Sequence, residues 1–124
     1  MNKFIAGLVL LLTSLTSFSE TSFKVLFDLS SDSQENWTTL LNNVENVKKE
    51  LGPKTEIRVV LHGGGIHLIE SKTVFQVDRI NQLIAGGVQF VGCENTMKRK
   101  NIQKSQLLPN VGTVPAGLAE LVRK

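Results

Sequence analysis

Two apolar runs, separated by one long amphipathic stretch, restrict this chain more than any other feature. Phe23-Lys24-Val25-Leu26-Phe27-Asp28-Leu29 and Glu56-Ile57-Arg58-Val59-Val60-Leu61-His62 are both rich in apolar residues, as strands covered on both faces are. Between them Trp37, Leu40, Leu41, Val44, Val47 and Leu51 recur at helical spacing, which lays one apolar stripe along a helix. Asp32 followed by Glu35 gives that helix a start resembling a capping box. Lys48 and Lys49 suit its carboxyl end, and Gly52-Pro53 stops it. A strand, a long helix and a second strand form a βαβ unit, so the two strands run parallel.

The same alternation continues. Gly63-Gly64-Gly65 is a loop at the carboxyl end of the second strand, and Ile66 to Ser71 reads as a short helix. Val77, Ile80, Leu83 and Ile84 mark a second amphipathic helix that stops at Gly86-Gly87. Val88, Phe90 and Val91 form a third strand that ends at Cys93, and Glu94 to Lys104 begins as a helix. Leu107-Leu108-Pro109 breaks it, Val111 to Val114 is a fourth short strand, and Pro115 is placed to open a last helix. The expected architecture is a three-layer α/β/α domain with a mostly parallel sheet.

The amino terminus stands apart from this pattern. Lys3 precedes an apolar run from Phe4 to Leu12, and Ser17-Phe18-Ser19 fits a small-x-small cleavage site. Residues 1–19 therefore read as a secretory signal peptide, with a single domain over 20–124. The apolar run is short for a bilayer span; an uncleaved anchor or a buried first helix is the alternative. No cysteine lies near the cleavage site, so a lipid anchor has no attachment point. The expected location is exported and periplasmic, with no membrane contact after cleavage. The net charge of +3 comes with no basic stripe interleaved with aromatics, so nucleic acid is not an expected partner.

Export bears on Cys93, the only cysteine. One cysteine cannot form an internal disulfide, so packing alone must hold the fold. The thiol sits where a strand meets a helix, on the sheet edge that binds ligands in open α/β folds. Free N–H groups there favour a thiolate, as do Lys98, Arg99 and Lys100 downstream, while Glu94 opposes it. The residue is then either a nucleophilic thiolate or persulfide carrier, or a small buried hydrophobe. His62 and Gly63, Gly64 and Gly65 meet the same edge. The histidine could orient or deprotonate a group there, and the glycines could bring backbone N–H groups to an anion; a tight turn with a bonded histidine is the bland reading. Glu94, Asn95 and Thr96, the first turn after the thiol, complete the candidate binding set. The motifs of a P-loop, a dinucleotide fold or a serine hydrolase are missing. His67 lacks companions for a closed zinc site. No cofactor or metal is expected, and no base, acid and nucleophile set marks an autonomous enzyme.

Several of these elements together resemble one family. Lys24-Val25-Leu26-Phe27, Val59-Val60-Leu61-His62-Gly63-Gly64-Gly65-Ile66, Gly87-Val88-Gln89-Phe90-Val91-Gly92-Cys93-Glu94-Asn95-Thr96-Met97 and Val114-Pro115-Ala116-Gly117 are similar, in this order, to the DsrE/DsrF-like proteins. The resemblance implies a flavodoxin-like α/β/α fold and a homo-oligomer, trimer or hexamer. It implies sulfur relay through a cysteine persulfide, with Cys93 at the family's cysteine. The partners it implies are a sulfur donor or acceptor protein, or a small sulfur anion. Two departures are visible. Well-known members are cytoplasmic, whereas this chain carries an export pattern. Members also continue past the last helix with a Gln, a Gly, an aromatic pair and a final strand, so this chain is expected to be short or to lack its end. The rival readings are a non-catalytic binding or assembly module in which Cys93 is packing, and a redox-sensing thiol.

Overall fold

The computed structural model describes residues 22–123; the predicted signal peptide over 1–19 lies outside them. The elements are β1 Lys24–Leu29, α1 Gln34–Leu51, β2 Glu56–Leu61, α2 Val77–Ala85, β3 Gln89–Cys93, α3 Glu94–Lys100, β4 Gly112–Val114 and α4 Gly117–Arg123. The sheet is four-stranded, in the order β1-β2-β3-β4, and every pairing is parallel. The βαβ logic of the sequence therefore extends across the sheet, and the α/β class holds.

Sequential strand order has a consequence for the layers. Parallel crossovers are right-handed, so successive connections that step in one direction stack their helices on one face. The large core lies there. Trp37, Leu40, Leu41 and Val44 of α1 and Ile80 and Leu83 of α2 meet Ile57, Val59, Leu61 and Phe90 of the sheet, with Met97 of α3 joining them. On the second face the apolar cluster is small, with Val60, Val91 and Val114 buried and Leu26 beside them. Only α4 among the named helices packs there, seated on β2 through Gly117. The amino end of the sheet stays open as a cavity of about 210 Å³, lined in part by Leu26, Thr55, Arg58 and Gln89.

Three local expectations change. The N-cap of α1 is Ser33, not Asp32: Ser33 is extended, and its hydroxyl accepts from the Asn36 N–H at 3.5 Å. Ser31 fixes that turn, because its hydroxyl accepts from Ser33 N–H and its carbonyl from the Trp37 indole N–H at 2.7 Å. The glycine triplet is not an open loop but the start of a 3₁₀ segment, Gly63–Ile69. The end of β1 presses on it so closely that a Cβ at Gly65 would collide with the Leu29 carbonyl. Pro115 does not open α4, which begins at Gly117. The Pro115 carbonyl instead accepts from Asn95 N–H at 3.3 Å, and Glu120 N–H reaches Ala116 at 3.1 Å.

Candidate functional site

Parallel strands put their carboxyl ends on one edge, and alternation decides which side chains share a face. In β3, Gln89, Val91 and Cys93 point to the second face; in β2, Arg58 and Val60 do so, with His62 one step past the strand. The register pairs Leu61 with Gly92 and Cys93 with Val114. His62 and Cys93 therefore emerge on neighbouring strands of one face, beneath the start of α4.

Cys93 is 6% exposed and serves as the N-cap of α3, with extended backbone. Gly117 N–H donates to its sulfur at 3.2 Å. That approach favours glycine: a Cβ at Gly117 would stand 3.1 Å from Val60 Cγ1, 3.2 Å from Cys93 Cβ and 3.4 Å from His62 Cβ, tighter than ordinary contact. Burial pushes the thiol up. The Thr96 and Gly117 amides, the Thr96 hydroxyl and the Asn95 amide together outweigh it and hold the thiol below its ordinary value. Among these donors Gly117 closes the clear hydrogen bond, while the α3 amides act without a cap bond.

Thr96 joins the glycine segment to the thiol. It is 1% exposed, and its hydroxyl accepts from Gly63 N–H at 3.0 Å and from the Arg99 guanidinium at 3.4 Å. Gly63 itself has φ +51°, a left-handed conformation that suits glycine. Gly65 N–H goes to the His62 carbonyl at 2.9 Å. The amides of Gly63 and Gly65 are thus engaged inside the protein, and Gly64 and Gly65 lie against Asp32 and Leu29.

The other candidates divide. His62 bonds through Nε2 to Asp28 Oδ1 at 2.5 Å, which ties the ring to β1 rather than to the thiol. Glu94 accepts from the Thr113 hydroxyl at 2.6 Å. Asn95 contributes its backbone while its side chain is exposed. His67 bonds Glu70 at 2.5 Å, and Glu70 is only 2% exposed. Among the described residues no group of His, Cys, Asp and Glu is placed to hold a metal ion. Lys98 and Lys104 line a second cavity of about 440 Å³ with Glu94 and Thr113, and Cys93 lines neither cavity.

Two partners of the site were not legible as such. Gly117 belongs to the Val114-Pro115-Ala116-Gly117 element, which carries no sign that its amide meets the thiol, and Asp28 lies within a strand with no local link to His62. The polar alternation of Asp28, Arg58 and Gln89 on otherwise apolar strands was the available signal for a distinct second face.

A sequence profile of the DsrE/DsrF-like family matches residues 24–124. The chain belongs to that family. A solved protein of unknown function from Methanobacterium thermoautotrophicum has a similar structure, with a TM-score of 0.77 and 26% identity over 82% of this chain and 89% of that one. No curated protein matches the sequence. This DsrE/DsrF-like chain has, among its described residues, no helix long and apolar enough to cross a membrane. In its DsrE/DsrF-like fold the lone thiol, the 3₁₀ glycine segment and the start of α4 converge on one edge of the sheet.

Proposed function

We propose that the protein handles sulfur, with Cys93 taking up a sulfane sulfur and carrying it as a persulfide. The observation that carries this reading is the set of N–H groups and the hydroxyl that hold a buried thiol below its ordinary pKa. Burial alone would make the thiol inert; donors aimed at the sulfur favour the anion that attacks. Family membership supports the same chemistry.

The step balances without an added oxidant. The Cys93 thiolate attacks the outer sulfur of a persulfide donor, R–S–S⁻. A Cys93 S–S bond forms, the donor's S–S bond breaks, and R–S⁻ leaves with the electron pair. With thiosulfate the leaving group is sulfite. An acceptor thiolate later attacks the outer sulfur and returns Cys93 to its thiolate. The Gly117 N–H and the Thr96 hydroxyl stabilise the sulfur anion at both ends of this cycle. In this reading His62, its ring bonded to Asp28, flanks the donor's approach from the β2 side. Gly63 braces Thr96 behind the thiol, and Gly64, Gly65, Glu94 and Asn95 flank it on the same sheet edge.

The leader-like residues 1–19 support export to a periplasm. In this reading the donor is a small sulfur anion or a partner protein met there, and the protein acts as a carrier and not as an autonomous enzyme. A homo-oligomer is part of the same proposal. A second reading, a binding or assembly module with Cys93 as packing, is favoured by the 6% exposure of the residue.

Intact mass separates the two readings. The protein is incubated with polysulfide or thiosulfate and then with reductant, beside Cys93→Ser. A reversible gain of one sulfur mass, about 32 Da and absent in the variant, is expected of a thiolate carrier. A native thiol that gains nothing, and reacts only after denaturation, overturns the carrier reading in favour of packing.

A further inference from the structure

We propose that α4 is a cover over Cys93, latched by the Arg58–Glu120 ion pair, and that its local opening admits the sulfur donor. The purpose of the opening rests on the persulfide reading; the motion itself does not.

The helix is poorly held by ordinary packing. α4 has seven residues, and its buried ones are Gly117 and Glu120. Two of its three large apolar side chains face outward, with Leu118 63% and Val122 88% exposed, and the third, Leu121, is only partly buried. A short helix depends on burial of an apolar face for its stability, and the residues that α4 buries fully are a glycine and a carboxylate, with Leu121 half-buried beside them. What holds it down is polar. Glu120, with its side chain 4% exposed, accepts from the Arg58 guanidinium, whose side chain is 23% exposed. Arg58 is aimed by Gln89, whose side-chain oxygen accepts from Nε at 3.0 Å. Arg123 stands 4.0 Å from the other Glu120 oxygen. At the opposite end of the helix, Gly117 donates to the thiol.

This arrangement has two natural states. Seated, the carboxylate has its guanidinium and the thiol its amide. Raised, both charges return to water, which removes the desolvation penalty that a buried pair carries. A latch of that kind contributes little net stability while fixing geometry. Ahead of the helix, Asn95 N–H holds the Pro115 carbonyl, so the chain stays anchored while α4 lifts from Ala116 onward. With Cys93 only 6% exposed and the Gly117 N–H seated on its sulfur, a donor that approaches along this face meets the sulfur once the start of α4 moves aside.

The test is the rate at which a maleimide modifies Cys93 in the full native chain, measured beside amide hydrogen exchange and urea unfolding read by Trp37. Trp37 sits in the core of the opposite face, so it reports global unfolding. In the wild type, labelling is expected through an opening far more frequent than global unfolding, with the α4 amides exchanging at the same frequency. Glu120→Gln is expected to raise labelling on the order of tenfold or more, because it breaks a buried ion pair, while the Trp37 transition stays in place. In a double-mutant cycle with Arg58→Gln, the two effects should be strongly non-additive. Labelling unchanged in Glu120→Gln, or raised only as far as global stability falls, overturns the cover. If that variant does not fold, the wild type decides: labelling limited by global unfolding, with α4 amides as protected as those of β2, also overturns it. Maleimide reads access alone. Fast labelling without sulfur uptake from polysulfide would support the cover and overturn the carrier.

Discussion

On the first face of the sheet, Val59 and Phe90 disappear under α1 and α2 in one large apolar cluster. On the second face, Asp28, Arg58, Gln89 and Cys93 interrupt the valines, and α4 is secured by an ion pair and an amide-to-sulfur bond. The same strands supply both surfaces. Alternation along each strand lets one sequence carry a core on one set of alternate positions and a site on the other. The first face gains stability roughly in proportion to buried apolar area. The second contributes less of it, and gains positioned donors and a segment that can move. Chemistry belongs on the face that the core does not depend on.

The sharpest way to break that contrast is to truncate adjacent residues of β3 that point to opposite faces. Phe90→Ala should cost about 3–5 kcal/mol, as large aromatic truncations in cores do. Val91→Ala, on the second face, should cost about 1–2 kcal/mol, near the transfer value of a valine side chain. Urea unfolding followed by Trp37 fluorescence measures both. Equal losses would mean that the second face is a core in its own right.

Next in size is Gly117→Ala. The added methyl meets Val60, Cys93 and His62 at 3.1–3.4 Å, so α4 is expected to give way by a few tenths of an ångström, because β2 and β3 beneath it are fixed in the sheet. Overpacking of this kind costs about 1–3 kcal/mol. The sharper readout is the thiol: with Gly117 N–H drawn away, its pKa should move up toward the ordinary value, seen in the pH dependence of thiolate absorbance. A destabilised variant whose thiol titrates as before would detach α4 from control of Cys93.

How much of this contrast was legible in the sequence follows the range of the forces involved. β1, α1, β2 and β3 were readable because their signals are local: apolar runs, a helical stripe, a glycine pair that ends α2. The edge position of Cys93 followed from the same alternation. The Arg58–Glu120 pair was not readable, because the two residues meet only after β2 is in the sheet and α4 has folded back over it. Asp28 and His62 likewise depend on the parallel register of β1 with β2. Even the local misreadings have this character. Asp32 fits an N-cap as well as Ser33 does, and the choice falls to Ser31, which accepts from Ser33 N–H and the Trp37 indole. The glycine triplet reads equally as an anion-binding loop or as a tight turn, and the feature that bears on the choice, the close approach of Asp32 and Leu29 to Gly64 and Gly65, exists only once β1 is in place.

The thiol's lowered pKa predicts a pH-dependent stability that belongs to the second face alone. The native thiol releases its proton at lower pH than the unfolded one. Between those two values the unfolded chain binds more protons, so stability rises with pH across the window and is lost as pH falls through the folded pKa. Each pK unit of difference is worth about 1.4 kcal/mol. Cys93→Ser should remove this rise while leaving the rest of the profile intact. Urea unfolding at several pH values, wild type against variant, reads it directly, and parallel profiles would mean that the donors around the sulfur do not favour its anion.

The smallest expected effect tests whether an ion pair matters because of its charges or because of where it sits. Arg79 joins α2 to α1, donating to both oxygens of Glu45 at 2.7 and 2.6 Å. This geometry is as good as that of Arg58 with Glu120, and the Arg79 contact holds the Glu45 carboxyl below its ordinary range. But Glu45 is 42% exposed where Glu120 is 4% exposed. Water screens the first pair, and α1 and α2 are already fixed by Val44, Ile80 and Leu83 beneath it. Glu45→Gln should therefore cost at most about 1 kcal/mol, and less at high salt. It should leave the labelling rate of Cys93 unchanged. If it loosened α2 as Glu120→Gln is expected to loosen α4, the apolar core would not be what secures the first face.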